Sequence, residues 1–385
     1  MECGWPAFPT AFSGCNMSTH RNAAWPAIAG LTLLVSAFAS TASQPEHKAS
    51  ARQLVESFAR DSKAPGLAVS VGCAGELFWS YGTGYADLEQ RVAVRPSSSK
   101  FRVGSVAKPF TAFALATLIE DKRIELDAEV QQYVPSFPRK EHAISVRQLA
   151  GHLAGIRHYE NDEAYLRTHF PSVQAGLEIF QDAPLVMVPG ERWAYSSYGY
   201  NLLSAAMESA AETPFLELMD EVVFDPIGMH DTVADELSKI IANRVRYYRF
   251  TDNGYANEPE VDNSYKWASG GFLSTTDDMV RFGLAHLDDT HLKAETIADL
   301  WAPMTTNDGE PTGYGIGWRI VADEDGFLWH GHGGGSIGGT TQFWLFPDHG
   351  LVLTAASNVT ELNYGLFMVE LRDHFLGLPE CSIQR

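Results

Sequence analysis

The sequence predicts a mixed α/β fold of the α+β type: one mainly antiparallel sheet built from both ends of the chain, with a mostly helical region inserted between them. Three observations lead there. Strand-like runs lie near residues 67–81 and return near 316–355. Between them apolar residues recur with a helical period, punctuated by prolines. No internal repeat or low-complexity linker divides the chain beyond its N-terminal segment. The 385 residues, 45% hydrophobic and 20% charged, suit one large or two modest globular domains.

The N-terminal segment reads as a leader. Ala27–Ala39 is an apolar run of signal-peptide length, too short for a comfortable transmembrane helix. Arg21 precedes it, and Ala37-Phe38-Ala39 and Ser40-Thr41-Ala42 offer small-x-small cleavage patterns. We expect residues 1–42 to be a signal peptide, with Met17 the better start and 1–16 an over-extended gene start. The alternative is an uncleaved anchor. The mature chain is then periplasmic or extracellular, with no stable membrane span after cleavage. Cys3 and Cys15 leave with the leader; Cys73 and Cys381 can pair in an oxidising compartment, although sequence does not show them to be close.

Beyond the leader, Ala49–Asp61 places Leu54, Val55 and Phe58 on one helical face. Leu67–Val71 and Leu77–Tyr81 read as strands joined by the hairpin signal Cys73-Ala74-Gly75-Glu76. From Ser105 to about Asp231 the signals are mostly helical, broken by Pro135, Pro138, Pro171, Pro184, Pro189 and Pro226. Strand signals return at Ile316–Val321, Phe327–His330, Thr341–Phe346 and Leu351–Ala355, and Asn363–Leu376 is a helix candidate. The expected organisation is a sheet region from 45–104 and 265–385, a helical region from 105–264, and one catalytic domain overall. Its site belongs where the two regions meet.

A formal net charge of -20 argues against a nucleic-acid partner, because phosphate binding needs clustered Lys and Arg. The chemistry points instead to Ser105-Val106-Ala107-Lys108. Residues three apart share a helix face, and the apolar run Phe110, Phe113, Leu115, Leu118, Ile119 continues from them. A serine is a weak nucleophile until a base takes its proton, and a buried lysine can become that base. The same spacing at Ser97–Lys100 lies in a polar turn after Pro96 and is set aside.

Three more stretches matter. Tyr195-Ser196-Ser197 follows Pro189-Gly190; near a lysine ammonium, the Tyr195 phenol can be lowered enough to relay a proton, or its hydroxyl can simply sit at the rim of a packed turn. His332 through Gly338 lies between two strand candidates; its glycines either let backbone N–H groups approach a developing oxyanion or form a plain turn. This stretch contains Gly334-Gly335-Ser336-Ile337-Gly338, a formal G-x-S-x-G. The residues after Gly339 are β-branched and aromatic, hence strand-like, where a nucleophile elbow needs a helix, so Ser336 is rejected. His152, preceding Leu153-Ala154-Gly155, is expected to support a pocket wall. His330-Gly331-His332 lacks the company of a metal site, and no metal or organic cofactor is implied.

Taken in order, these motifs resemble the serine beta-lactamase-related family, which includes class C beta-lactamases, DD-peptidases and esterases. Within it the chain is most similar to the LACTB-type branch. Gly84-Tyr85-Ala86-Asp87, His152 with Gly155–Glu160, Tyr195-Ser196-Ser197 and His332–Gly338 carry the narrower likeness, over about residues 50–380. The resemblance implies the beta-lactamase/transpeptidase-like fold, Ser105 as the acylated nucleophile, Lys108 as its proton partner and Tyr195 as the proton shuttle. It implies an oxyanion hole from the N–H groups of Ser105 and Gly335, and substrate contacts at Ser197, His332 and Gly334. Two departures stand out. Ser197 replaces an asparagine and reaches less far. His332 replaces a permanent cation with a group near neutral at pH 7, which favours ester, amide or peptide substrates over beta-lactams. The expected partner is a small-molecule or peptide substrate. The second reading is a LACTB-like self-assembling scaffold, a homo-oligomer or filament with little catalysis.

Overall fold

The computed structural model describes residues 44–381; the expected leader lies outside them. Seven strands form the main sheet, in the order β3-β2-β1-β12-β11-β10-β9. They are β1 (Gly66–Cys73), β2 (Glu76–Asp87), β3 (Val92–Ala93), β9 (Arg319–Ala322), β10 (Leu328–Ser336), β11 (Gly339–Phe346) and β12 (Leu351–Ser357). All neighbours are antiparallel, and the two ends of the chain meet where β1 pairs with β12, Leu67 opposite Ser357. A smaller sheet holds β4 (Phe101–Arg102), β8 (Phe272–Ser274) and β5 (Val233–Ala234), and β6 (Tyr248–Thr251) pairs with β7 (Gly254–Asn257).

Strand β1 is buried along its whole length because both faces of the sheet are covered. Leu67, Val69 and Val71 pack with Val55 of the helix Gln44–Asp61 and Leu371 of the helix Phe367–Leu376. The alternate residues turn to the helix Thr276–Leu284: Ser70 Oγ donates to Asp277 at 2.6 Å, and a β-carbon at Gly72 would lie 2.6 Å from Val280. The helix Ala107–Glu120 is apolar nearly all round and buried from Ala107 through Ala116, as a central helix must be. Cys73, the last residue of β1, is disulfide-bonded to Cys381 across 308 residues.

The sheet from both termini is what the structure shows, with three local corrections. Ile316–Trp318 is not strand: Gly317, at φ +84°, turns the chain against the central helix, and Ile316 and Trp318 join the core while β9 begins at Arg319. The glycine-rich stretch from His332 to Ser336 is strand, not turn. Its glycines serve close approach: a β-carbon at Gly331 would meet the Phe343 carbonyl at 2.0 Å, and one at Gly334 the Val103 carbonyl at 1.9 Å. The last helix starts at Phe367 rather than Asn363, after Gly365 at φ +48°. Among the described residues, no helix is long and apolar enough to cross a membrane.

Candidate active site

Ser105 sits in the single turn Gly104–Val106 that feeds the central helix, which puts Lys108 in that helix's first turn. Lys108 is completely buried. Its Nζ donates to the Ser269 carbonyl at 2.9 Å and lies 3.4 Å from Ser197 Oγ and 3.2 Å from Ser105 Oγ. Burial, then the positive charges of Arg319 and Lys266, hold Lys108 well below the usual lysine range. A neutral amine has two N–H donors and one lone pair. Once deprotonated, Lys108 can give its two N–H groups to the Ser269 carbonyl and the Ser197 hydroxyl and turn its lone pair to the Ser105 hydroxyl.

Tyr195 completes the contact around the serine: its hydroxyl donates to Ser105 Oγ at 2.7 Å. Of the two readings the sequence leaves open for Tyr195, the lowered phenol is not found. Burial pushes Tyr195 up, and Ser105, Arg319 and Ser197 pull the other way without reversing it. Tyr195 is therefore a neutral hydrogen-bond donor.

Two histidines hold this segment. The helix Ser197–Ala211 opens with Ser196 as its cap, Oγ accepting from Gly199 N at 3.0 Å. The backbone N–H groups of Ser196 and Ser197 donate to His152 Nδ1 and His158 Nδ1, each at 3.1 Å. Accepting at Nδ1 places the proton of each neutral ring on Nε2. Burial and nearby cations keep both rings neutral: His152 is held well below the usual imidazole range and His158 is pushed down to about 4. His152, at φ +61°, lies under the Tyr195 ring with centroids 4.3 Å apart, and His158 meets it edge-on at 5.4 Å.

Strand β10 closes the other side. Counting back from the two-residue loop Ile337–Gly338, Ser336 pairs with Gly339 and the hydrogen-bonded pairs alternate. Gly334 therefore turns its backbone groups to Thr341 of β11, while Gly335 turns its N–H and carbonyl away from β11. Strand β9 reaches only as far as Gly331, so nothing in the sheet covers that edge. What lies there is the turn carrying Ser105: a β-carbon at Gly104 would stand 2.7 Å from Gly335 N. Ser105 N is close as well, 3.3 Å from where a β-carbon at Gly334 would stand. Gly334 acts through its closeness to Val103, with its polar groups spent on the sheet. His332 is buried, with Nδ1 donating to the Gly333 carbonyl at 2.6 Å and Nε2 accepting from the Tyr314 hydroxyl at 3.1 Å. Burial first, and then the Arg319 charge, holds it well below the usual imidazole range.

The structure brings Ser105, Lys108, Tyr195, Ser197, Gly335 and His332 together, and it separates the decoys. Lys100 is ion-paired with Asp231, and Ser336 Oγ is buried without a hydrogen-bond partner. Among the described residues no cluster of three or more His, Cys, Asp or Glu is placed to hold a metal ion. Sequence reasoning missed Ser269, Lys266, Tyr314 and Arg319, and it reached His158 only through a family resemblance. Arg319 lies opposite Gly331 on β9, is exposed, and is the first charge acting on Lys108 and His332. No local motif marks these residues; the turn and short helix of Ser264–Gly270, and the stretch from Tyr314 into β9, bring them to the serine only in the fold.

The beta-lactamase family profile matches residues 51–368. The chain is 30% identical over 394 aligned positions to the human (Homo sapiens) mitochondrial serine beta-lactamase-like protein LACTB, covering 78% of this chain and 72% of that one. It is 25% identical to penicillin-binding protein 4* of Bacillus subtilis (strain 168), covering 79% and 71%. Among solved structures, the octameric penicillin-binding protein homologue from Pyrococcus abyssi superposes with a TM-score of 0.73 at 22% identity, covering 84% of this chain and 77% of that one.

Proposed function

The chain belongs to the beta-lactamase family, and on that footing we propose that it is a serine hydrolase that opens an ester or amide bond through an acyl-enzyme. The observation that carries this is Ser105 Oγ held between Tyr195 at 2.7 Å and Lys108 at 3.2 Å. Neutral Lys108 takes the Ser105 proton as Oγ attacks the substrate carbonyl. The N–H groups of Ser105 and Gly335 hold the oxyanion. Tyr195 gives its proton to the leaving group and recovers one from the Lys108 ammonium. Water then attacks the acyl carbonyl as neutral Lys108 takes its proton, and the Lys108 ammonium returns that proton to Ser105 Oγ as the acyl bond breaks and the acid leaves.

The substrate is an ester, amide or peptide rather than a beta-lactam. Neutral His332, both nitrogens engaged by the protein, offers no charge to a ligand. A permanent cation nearby is the exposed Arg319, on β9 opposite Gly331. The Cys73–Cys381 bond supports export to an oxidising compartment. Turnover of 4-nitrophenyl acetate and of a D-alanyl dipeptide by the wild type and Ser105→Ala tests the reading. We expect hydrolysis of at least one substrate to vanish in the variant; undiminished hydrolysis in Ser105→Ala rejects it.

Self-assembly is a second reading, supported by the octameric state named for the Pyrococcus abyssi relative. Light scattering across a concentration series tests it, and a monomer at every concentration rejects it.

A further inference from the structure

Lys266 carries an amine that makes no ion pair among the described residues. The residue is 5% exposed. Its Nζ has no hydrogen-bond or ion-pair partner among the described residues, yet it is not one of the polar atoms sealed from solvent. It sits over the rings of Tyr265 at 5.1 Å and Tyr159 at 5.6 Å. Tyr159 stacks on His158 at 4.4 Å, and His158 in turn meets the Tyr195 ring. Ser269, three residues along the same segment, supplies the carbonyl that holds Lys108. Lys266 thus shares its segment with the carbonyl that holds Lys108, and its ring cluster with Tyr195.

The acids around it are committed elsewhere. Asp235 accepts from Arg102 and Asn263, each at 2.7 Å. Glu163 is taken by Arg157 and the Tyr198 hydroxyl, and Asp262 by Ser264 N and His169. Burial and the Arg102 charge push Lys266 down to about 7 against the pull of Asp235. A buried cation without a partner is costly, and a ligand carboxylate would remove that cost.

We propose that Lys266 is a specificity-determining residue that receives a carboxylate carried by the substrate, so that acidic esters or amides are favoured over neutral ones of the same shape. This rests on the hydrolase reading above. The test compares two substrate pairs: mono-4-nitrophenyl adipate with 4-nitrophenyl hexanoate, and 3-carboxyphenyl acetate with phenyl acetate. In each pair the ratio of kcat/KM values is measured for the wild type, Lys266→Met, Lys266→Gln and Lys266→Arg. The expected result is that the ratio for at least one pair falls about tenfold or more in Lys266→Met and Lys266→Gln and is kept in Lys266→Arg, as loss of a charged hydrogen bond requires. Ratios unchanged in both pairs overturn the proposal. Ser105→Ala separates the two ideas: if it hydrolyses both pairs as fast as the wild type, the hydrolase reading has failed rather than the Lys266 assignment.

Discussion

Gly104 lies backbone to backbone on Gly335: a β-carbon at Gly104 would stand 2.6 Å from the Gly335 carbonyl oxygen and 2.7 Å from its nitrogen. Gly104 is also at φ +51°, where a side chain is strained. This contact sets the spacing between the two proposed oxyanion donors. Gly104→Ala should force them apart and lower kcat/KM by about 10²–10³-fold, the usual cost of a lost oxyanion donor. Steady-state kinetics on a folded variant measure it, and near-normal turnover would remove Gly335 from the mechanism.

The pH dependence should report Lys108. The amine must be deprotonated to accept the Ser105 proton, so kcat/KM should rise with pH through its pKa, which lies well below the ordinary lysine value. After burial, the Arg319 charge does most to hold it down. Removing that cation favours the protonated amine, so Arg319→Gln should move the ascending limb to higher pH. A limb that stays in place, or moves to lower pH, contradicts this assignment.

Acid should destabilise the fold through its buried neutral imidazoles. His158, His286 and His330 are each pushed down to about 4 by burial. Their unfolded values lie near 6.5, so the unfolded chain binds more protons as pH falls between about 6.5 and 4. Stability is therefore present above that window and lost through it, by up to about 3 kcal/mol for the buried His286. Urea midpoints from pH 8 to pH 4 measure the loss. A flat profile would mean that these rings are hydrated or already charged.

The Cys73–Cys381 bond closes a 308-residue separation and ties the end of β1 to the last described turn. Replacing both cysteines by alanine should cost about 2–5 kcal/mol, read from urea unfolding. Equal stability of the oxidised and cysteine-free proteins would show that the bond contributes nothing.

Much of this was legible in the chain. The hairpin at Cys73–Glu76, the sheet shared by both termini and the Ser105–Lys108 pair follow from period, turn residues and spacing. Other features depend on contacts that no window of sequence contains. The glycines from Gly333 to Gly335 leave a plain turn open, because glycine usually breaks strands; in the structure Gly334, like Gly331 before it, is needed where a neighbouring carbonyl comes within about 2 Å of a would-be β-carbon. The Tyr195 phenol can be lowered beside a lysine ammonium or simply pack; its own burial pushes it up instead. Ser269, Arg319 and Lys266 carry no motif at all, since the fold alone brings them to Ser105.

The central claim is that Lys108 activates Ser105. Intact mass after incubation with a fluorophosphonate, followed by peptide mapping, tests it most directly. One adduct is expected, on Ser105, formed far more slowly in Lys108→Ala. An adduct on Ser336, equal labelling in Lys108→Ala, or no adduct on a demonstrably folded sample would contradict it.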